Sequence, residues 1–240
     1  MIRLVETLPA VADDTLLACR ILALWECYGA VPFIRFYSGE NGSAAAVLDG
    51  QAVALVSEEE REEWAWFLSM QPDIGSILTD PATAAAVAVA WETTPKSYPV
   101  MRHTADTIAE ETADDASPRE LYAFLQPIFP GLAPFDTWYP DVCYRSRHGF
   151  FRNAVVRDGD VVSSAMTTAE WTGGALIGGV ATAPTHRRRG LAGTCVHALV
   201  GALKREGRQV YICPKNEGAM RLYTELGFSV CGEIAQVERT

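Results

Sequence analysis

Apolar positions fall at helical spacing over residues 11–29, where Leu16, Leu17, Ile21, Leu22, Leu24 and Trp25 predict a helix. The period then shortens. Phe33–Ser38 reads as a strand, Gly39–Gly42 turns into Ala44–Leu48, and Asp49-Gly50 turns again into Gln51–Val56. A helix is predicted over Glu58–Met70 with Trp64, Phe67 and Leu68 inward. A short strand follows at Ser76–Leu78, then a helix at Pro81–Trp91 with proline near its start. Residues 104–118 are acidic and poor in large apolar groups, which suits a linker.

The second half repeats the rhythm. A short helix is predicted near Arg119–Gln126, then a loop rich in Pro, Gly and aromatics through Tyr139. Phe151–Arg157 and Val161–Ala169 flank Asp158-Gly159, a hairpin signal. Ala175–Thr182 is an apolar strand. A basic, glycine-containing loop leads into a helix at Leu191–Glu206, whose Leu191, Cys195, Leu199 and Leu203 share one face. Gln209–Cys213 reads as a strand, Glu217–Leu226 as a helix stopped by Gly227, and Phe228–Val237 as the last strand or strands. Both halves run helix, three antiparallel strands, helix, strand, helix. That order hints at two copies of one fold, although no residue-level repeat is visible.

Charge sharpens the division. Residues 1–115 carry 6 basic and 19 acidic side chains, net −13, and residues 116–240 carry 14 and 11, net +3. The sum of −10 argues against a partner made of duplex nucleic acid, which needs a basic face. The most apolar run, Ala82–Trp91, is about half the length that spans a bilayer. Glu6, Asp13 and Asp14 break the start before a signal-peptide core can form, so a cytoplasmic protein with no membrane partner is expected. The cysteines at 19, 27, 143, 195, 213 and 231 contain no Cys-x-x-Cys pair, so no metal site is expected and they read as buried free thiols.

The chemistry concentrates in Val180–Thr194. A strand ends, a basic loop follows and a helix begins, so the first helix amides point outward and the helix dipole adds positive charge. Gly190, Ala192 and Gly193 leave room for a ligand to reach the backbone. Arg187, Arg188 and Arg189 add three cations. Together these describe a site for a pyrophosphate-like anion. The phosphate-loop, dinucleotide and serine-elbow motifs are absent from the chain.

Val180-x-Thr182-x-Pro184 followed by Arg187-x-x-Gly190-x-Ala192 resembles the acetyl-CoA loop of the GCN5-related N-acetyltransferases (GNAT). Asn216-x-x-Ala219-x-x-x-Tyr223-x-x-x-Gly227-Phe228 resembles that family's second block. The resemblance covers roughly residues 96–240 and is firmest over 150–230. It implies an α/β (α+β) fold: a mixed, largely antiparallel central sheet flanked by helices, with two such units in tandem. Residues 1–95 would be a degenerate copy. Residues 96–240 would be the catalytic domain, with 96–118 its linker and possible first strand.

The same resemblance implies acetyl-CoA as cosubstrate. Backbone amides of Arg188, Arg189, Gly190, Leu191, Ala192, Gly193 and Thr194 would hold its pyrophosphate. Backbone groups of Val180 and Thr182, either side of Ala181, would pair with the pantetheine arm where the two central strands splay. Asn216 would hydrogen-bond near the arm. Tyr223 would protonate the departing thiolate as general acid, a transfer uphill by only about 1.5 pK units for an unperturbed tyrosine and a cysteine-like thiol. Substrate choice would fall to Asp136, Trp138, Tyr139, Asp141 and His148, where aromatics and acids could cradle an amine.

The general base is open. Ala175–Thr182 has no carboxylate, Glu170 should lie on the order of 15 Å from the acetyl position, and a water chain, Asp136 or Asp141 remain. In the first half, the place of the CoA-loop helix reads Ser57–Glu63 with five glutamates, which would repel a pyrophosphate. The expected activity is transfer of acetyl from acetyl-CoA to a primary amine in a ternary complex, by a monomer or homodimer. The alternative is a non-catalytic acyl-CoA-binding sensor. A ping-pong route through Cys213 has no histidine at an obvious pairing position.

Overall fold

The structure is a computed structural model of the chain, and it describes residues 1–8, 11, 15–105 and 112–239. The chain forms two compact units: Met1–Val100 with Val230–Thr240, and Met101–Ser229.

The first unit holds β1 (Arg3–Val5), α1 (Leu16–Tyr28), β2 (Arg35–Ser38), β3 (Ala44–Leu48) and β4 (Gln51–Leu55). A 3-10 turn at Glu58–Glu60 leads into α2 (Arg61–Met70), and β5 (Ser76–Thr79) and α3 (Pro81–Trp91) follow. Local chemistry sets the helix starts. Thr15 caps α1 by accepting from the Ala18 amide, and Asp80 caps α3 by accepting from Ala82 and Thr83 ahead of Pro81. β1 to β4 pair antiparallel in sequence order, and β4 pairs parallel with β5. Trp64 and Leu68 of α2 and Val87 of α3 bury against Val47, Ala52 and Ile77 of the sheet.

The second unit holds α4 (Pro118–Leu125), α5 (Phe135–Arg147), β7 (Asn153–Asp158), β8 (Asp160–Trp171), β9 (Gly174–Thr182), α6 (Leu191–Arg205), β10 (Gln209–Ile212) and α7 (Glu217–Glu225). β7, β8 and β9 are antiparallel, and β9 pairs parallel with β10. Adjacent strand residues serve opposite faces, as a pleat requires. Ala154 and Ala165 face the cluster of α6 and α7, while Val155 and Met166 face Leu121, Leu125, Trp138 and Val142 of α4 and α5.

The remaining strands, β6 (Lys96–His103) and β11 (Phe228–Glu238), carry the chain between units. β6 follows α3 and pairs with β10 through Met101 and Arg102. β11 follows α7 and pairs antiparallel with β5 through Ala235–Glu238. The first unit thus has four antiparallel strands, a parallel fifth and an antiparallel sixth, and the second has three antiparallel strands, a parallel fourth and an antiparallel fifth; in each the last strand is supplied after the other unit's last helix. The observed division differs from the expected 1–95 and 96–240 because the ladder with β5 draws residues 230–240 into the first unit.

Two further expectations change. The predicted loop through Tyr139 is helical from Phe135, despite Pro140 within the helix. Phe135, Trp138, Tyr139 and Val142 lie at helical spacing, Trp138 and Val142 bury, and Phe135 stacks on Tyr139 at 4.8 Å. Packing outweighs the hydrogen bond that proline removes. Of the expected linker, residues 106–111 lie outside the described residues, and Asp114 exchanges two backbone hydrogen bonds with Val155 (3.0 and 2.7 Å). None of the six cysteines forms a disulfide; Cys19, Cys27 and Cys195 are buried, Cys143 and Cys213 partly buried, and Cys231 exposed. Among the described residues no helix is long and apolar enough to cross a membrane.

Candidate active site

The site is built where β9 outruns its neighbour. The β9–β10 ladder runs from Gly174–Gln209 to Ile177–Ile212, and β9 then continues five residues further to Thr182. On its other side β9 stays with β8, through two register shifts. One spans Gly178 to Ala181 against Met166 to Ser164, a bulge of one extra residue. Gly179 makes the bulge possible: its φ is +57°, and a Cβ there would lie 2.8 Å from Met166 Cγ. The buried Ser164 Oγ donates to the Gly179 carbonyl at 2.9 Å and fixes the bend. The sequence reading missed this pair, although Gly178-Gly179 inside an apolar strand is the available signal.

Beyond β9, the 3-10 turn Pro184–His186 leads into the basic loop. His186 Nε2 lies 3.1 Å from Asp158 Oδ2, which ties the loop to the β7–β8 hairpin. Arg187 Nε donates to the Thr182 carbonyl at 3.2 Å. Arg188 and Gly190 take left-handed φ values of +61° and +78°. As N-cap of α6, Gly190 offers no side chain to its amides. The amides of Leu191, Ala192 and Gly193 therefore leave the helix end without an intrahelical partner, and the helix dipole reinforces them. Arg187, Arg188 and Arg189 are exposed beside them. Two expectations narrow here. The Thr194 amide is already bonded to the Gly190 carbonyl (3.1 Å), as the fourth helical residue must be, and the Thr182 carbonyl already accepts from Arg187.

The second motif lies on α7. Asn216 is its N-cap, with Oδ1 accepting from the Ala219 amide at 2.9 Å, which leaves its NH2 group as the side-chain donor for a ligand. Tyr223 is buried in the cluster of α6 and α7. Burial, and then the nearby Cys213 thiol, push its hydroxyl up to about 12. Tyr223 is therefore fully protonated at neutral pH but a weaker acid than an exposed tyrosine.

Four of the five acceptor candidates sit on α5, on the other face of the sheet, and His148 is the cap at its C-terminus. Trp138 is a core residue, packed near Tyr122. Tyr139 is half-buried, stacked on Phe135 and covered by the Arg119 guanidinium. Asp141 is paired with Arg145 at 3.1 Å, Asp136 is exposed in the first turn, and His148 Nδ1 lies 2.8 Å from the Tyr144 carbonyl. Glu170 serves structure: fully buried, it binds Arg152 Nε (2.9 Å) and Arg208 (2.7 Å), and Glu206 closes the network. Among the described residues no cluster of His, Cys, Asp and Glu could hold a metal.

A strand open along one edge, a glycine bulge and three outward amides flanked by arginines fit a ligand with a peptide-like arm and a pyrophosphate, as acetyl-CoA has. Residues 117–228 match the model of the Acetyltransferase (GNAT) family. No curated protein sequence matches the chain. Solved structures share its fold. An acetyltransferase from the GNAT family of Colwellia psychrerythraea is 15% identical over 100% of both chains, with a TM-score of 0.59. A GCN5-related N-acetyltransferase from Sphaerobacter thermophilus is 20% identical over 92% of this chain and 85% of its own, with a TM-score of 0.61. A tandem GNAT protein from the clavulanic acid biosynthesis pathway is 17% identical over 96% and 90%, with a TM-score of 0.55. Residues 117–228, just under half of the chain, thus match the GNAT acetyltransferase family, within a fold that GNAT structures share along the chain's length.

Proposed function

We propose that the chain is an N-acetyltransferase that moves an acetyl group from acetyl-CoA to a primary amine by direct attack in a ternary complex. The observation that carries this reading is the end of the β9–β10 ladder at Ile177–Ile212, while β9 runs on to an uncapped helix start. The amides of Leu191, Ala192 and Gly193, with Arg187–Arg189, would grip the pyrophosphate. Backbone groups of Val180, and the NH2 of Asn216, would line the arm. The bulge at Gly179 turns β9 amides out of the β8 ladder, toward an acyl oxygen that gains charge as the amine attacks. Tyr223 would donate its proton to the departing thiolate. No carboxylate stands on β9, so the amine's proton would leave through water.

Residues 1–95 fit a copy of the fold that does not take acetyl-CoA. Where α6 has an open start, α2 is preceded by Glu58, Glu59 and Glu60. The buried Glu60 carboxylate accepts from the amides of Glu40 (2.8 Å) and Asn41 (3.2 Å). A second reading, a non-catalytic acyl-CoA sensor, is favoured by the missing β9 carboxylate and by the raised Tyr223. Thiol release from acetyl-CoA across a panel of free amino acids, polyamines and lysine peptides separates the two. Release with any amine supports the enzyme; binding without release from every amine supports the sensor.

A further inference from the structure

The second unit has a cavity of about 540 Å³ that neither the anion loop nor Tyr223 lines. It lies between α4, the segment after it and the β7–β8 hairpin, and Ala183-Pro184 closes one side. Its size is within the range that encloses small molecules. Phe124, Ile128, Val161 and Pro184 give it an apolar wall.

Its polar groups are few and unequal in sign. Glu120, Arg157 and Asp160 line the cavity. Arg157 is answered from within: it binds Glu120 at 3.0 Å and the Asp115 carbonyl at 3.0 Å. Glu120 also accepts from the Ser117 amide and hydroxyl in the capping box, and these bonds hold its carboxyl down at about 2, so it is charged at every working pH. The His186 ring, two residues beyond Pro184, lies against Asp158 rather than Asp160. Asp160 makes no ion pair with any described residue. The cavity therefore offers an apolar wall and, at its solvent-exposed rim, one carboxylate with no ion-pair partner among the described residues.

We propose that this cavity binds a small monocation with an apolar or aromatic body, an arylalkylammonium in chemical class, with its ammonium at Asp160 and its ring against Phe124, Ile128 and Pro184. An anion would meet two carboxylates and a guanidinium already spent. A neutral ring would bind the apolar wall but gain nothing from Asp160. The proposal concerns binding alone and holds whether or not residues 187–194 take acetyl-CoA.

Tryptamine is the probe, because its alkyl ammonium is charged at neutral pH. Its neutral and anionic counterparts are tryptophol and indole-3-propionate. Titration calorimetry of the full chain, without acetyl-CoA, should show tryptamine bound more tightly than either. Asp160→Asn should weaken tryptamine about three- to fivefold, the size expected of a favourable solvent-exposed ion pair, and leave tryptophol unchanged. Ala123→Trp, on the exposed face of α4 at the cavity, should weaken tryptamine more than about tenfold with an unchanged melting temperature. Equal affinity for tryptamine and indole-3-propionate overturns the proposal. So does tryptamine binding that survives Ala123→Trp, or no binding by the wild type at millimolar tryptamine. Thiol detection with acetyl-CoA then distinguishes the source: turnover makes the cavity an acceptor site, and binding without turnover makes it a separate ligand site.

Discussion

Replacing Tyr223 with phenylalanine removes one hydroxyl and keeps the ring that packs against Phe228 at 6.2 Å, so the variant should fold. The hydroxyl sits at about 12, pushed there by burial and by Cys213. A departing CoA thiolate should have a pKa near that of cysteine, about 8.5. Proton transfer from Tyr223 is then uphill by about 3.5 units, or about 5 kcal/mol, against the 1.5 units of an unperturbed tyrosine. The acid is weak but always loaded. Two outcomes follow. Tyr223→Phe should lower kcat by about 10²–10³, toward the lower part of the range for general acids, with acetyl-CoA affinity nearly unchanged. The wild-type kcat should show no falling limb from loss of the Tyr223 proton up to pH 10, because that proton leaves only near 12. Steady-state thiol release from pH 6 to 10, beside calorimetric titration of acetyl-CoA, measures both. An unchanged kcat in the variant removes Tyr223 from the chemistry. A falling limb near pH 9 that vanishes in Tyr223→Phe refutes the raised pKa.

Gly179→Ala should cost about 1–2 kcal/mol from the left-handed backbone alone, with more from the clash at Met166, and should depress kcat beyond the loss of stability; activity equal to wild type would show that the bulge is not used. Glu170→Ala leaves Arg152 and Arg208 without their buried partner and should lower unfolding free energy by about 2–3 kcal/mol in urea, whereas a change below about 0.5 kcal/mol would mean that Glu206 alone suffices. His103 is buried with Nδ1 unpartnered, and burial, then Lys204 and His197, lower its pKa. Its folded pKa is below its unfolded value, so its contribution is complete above about pH 6.5 and is lost as pH falls below that. Melting temperature should drop from pH 7 toward 5 by less in His103→Gln than in the wild type; equal slopes would rule the histidine out.

The anion loop was legible because its residues do their work locally. A strand end, left-handed glycine and uncapped helix start are written in consecutive positions, and Arg187–Gly193 lie between the end of β9 and the first turn of α6. Asn216 and Tyr223 were likewise fixed by spacing along one helix. Long-range effects were less legible. Nothing in Lys96–His103 or Phe228–Glu238 says which strand each will pair with: the first lies in the expected linker and possible first strand, and the second reads as the last strand or strands. Pro140 and the neighbouring prolines hid α5, because its helicity rests on burying Trp138 and Val142. The acidity of Tyr223 was set too high for the same reason: an unperturbed pKa takes no account of burial. The motif spacing alone does not show that the first helical hydrogen bond consumes the Thr194 amide.

The central claim is that the start of α6 holds acetyl-CoA, and melting temperature with and without saturating acetyl-CoA tests it most directly, with Ala192→Glu beside the wild type. A carboxylate in the first turn suits the helix dipole, so the variant should fold, while its charge takes the place of the pyrophosphate. At about 100 times Kd the ligand adds about 2.7 kcal/mol, or about 5–10 °C for a chain of this size. The account predicts that shift in the wild type and none in Ala192→Glu. No shift in the wild type at millimolar acetyl-CoA, or an equal shift in both proteins, would contradict it.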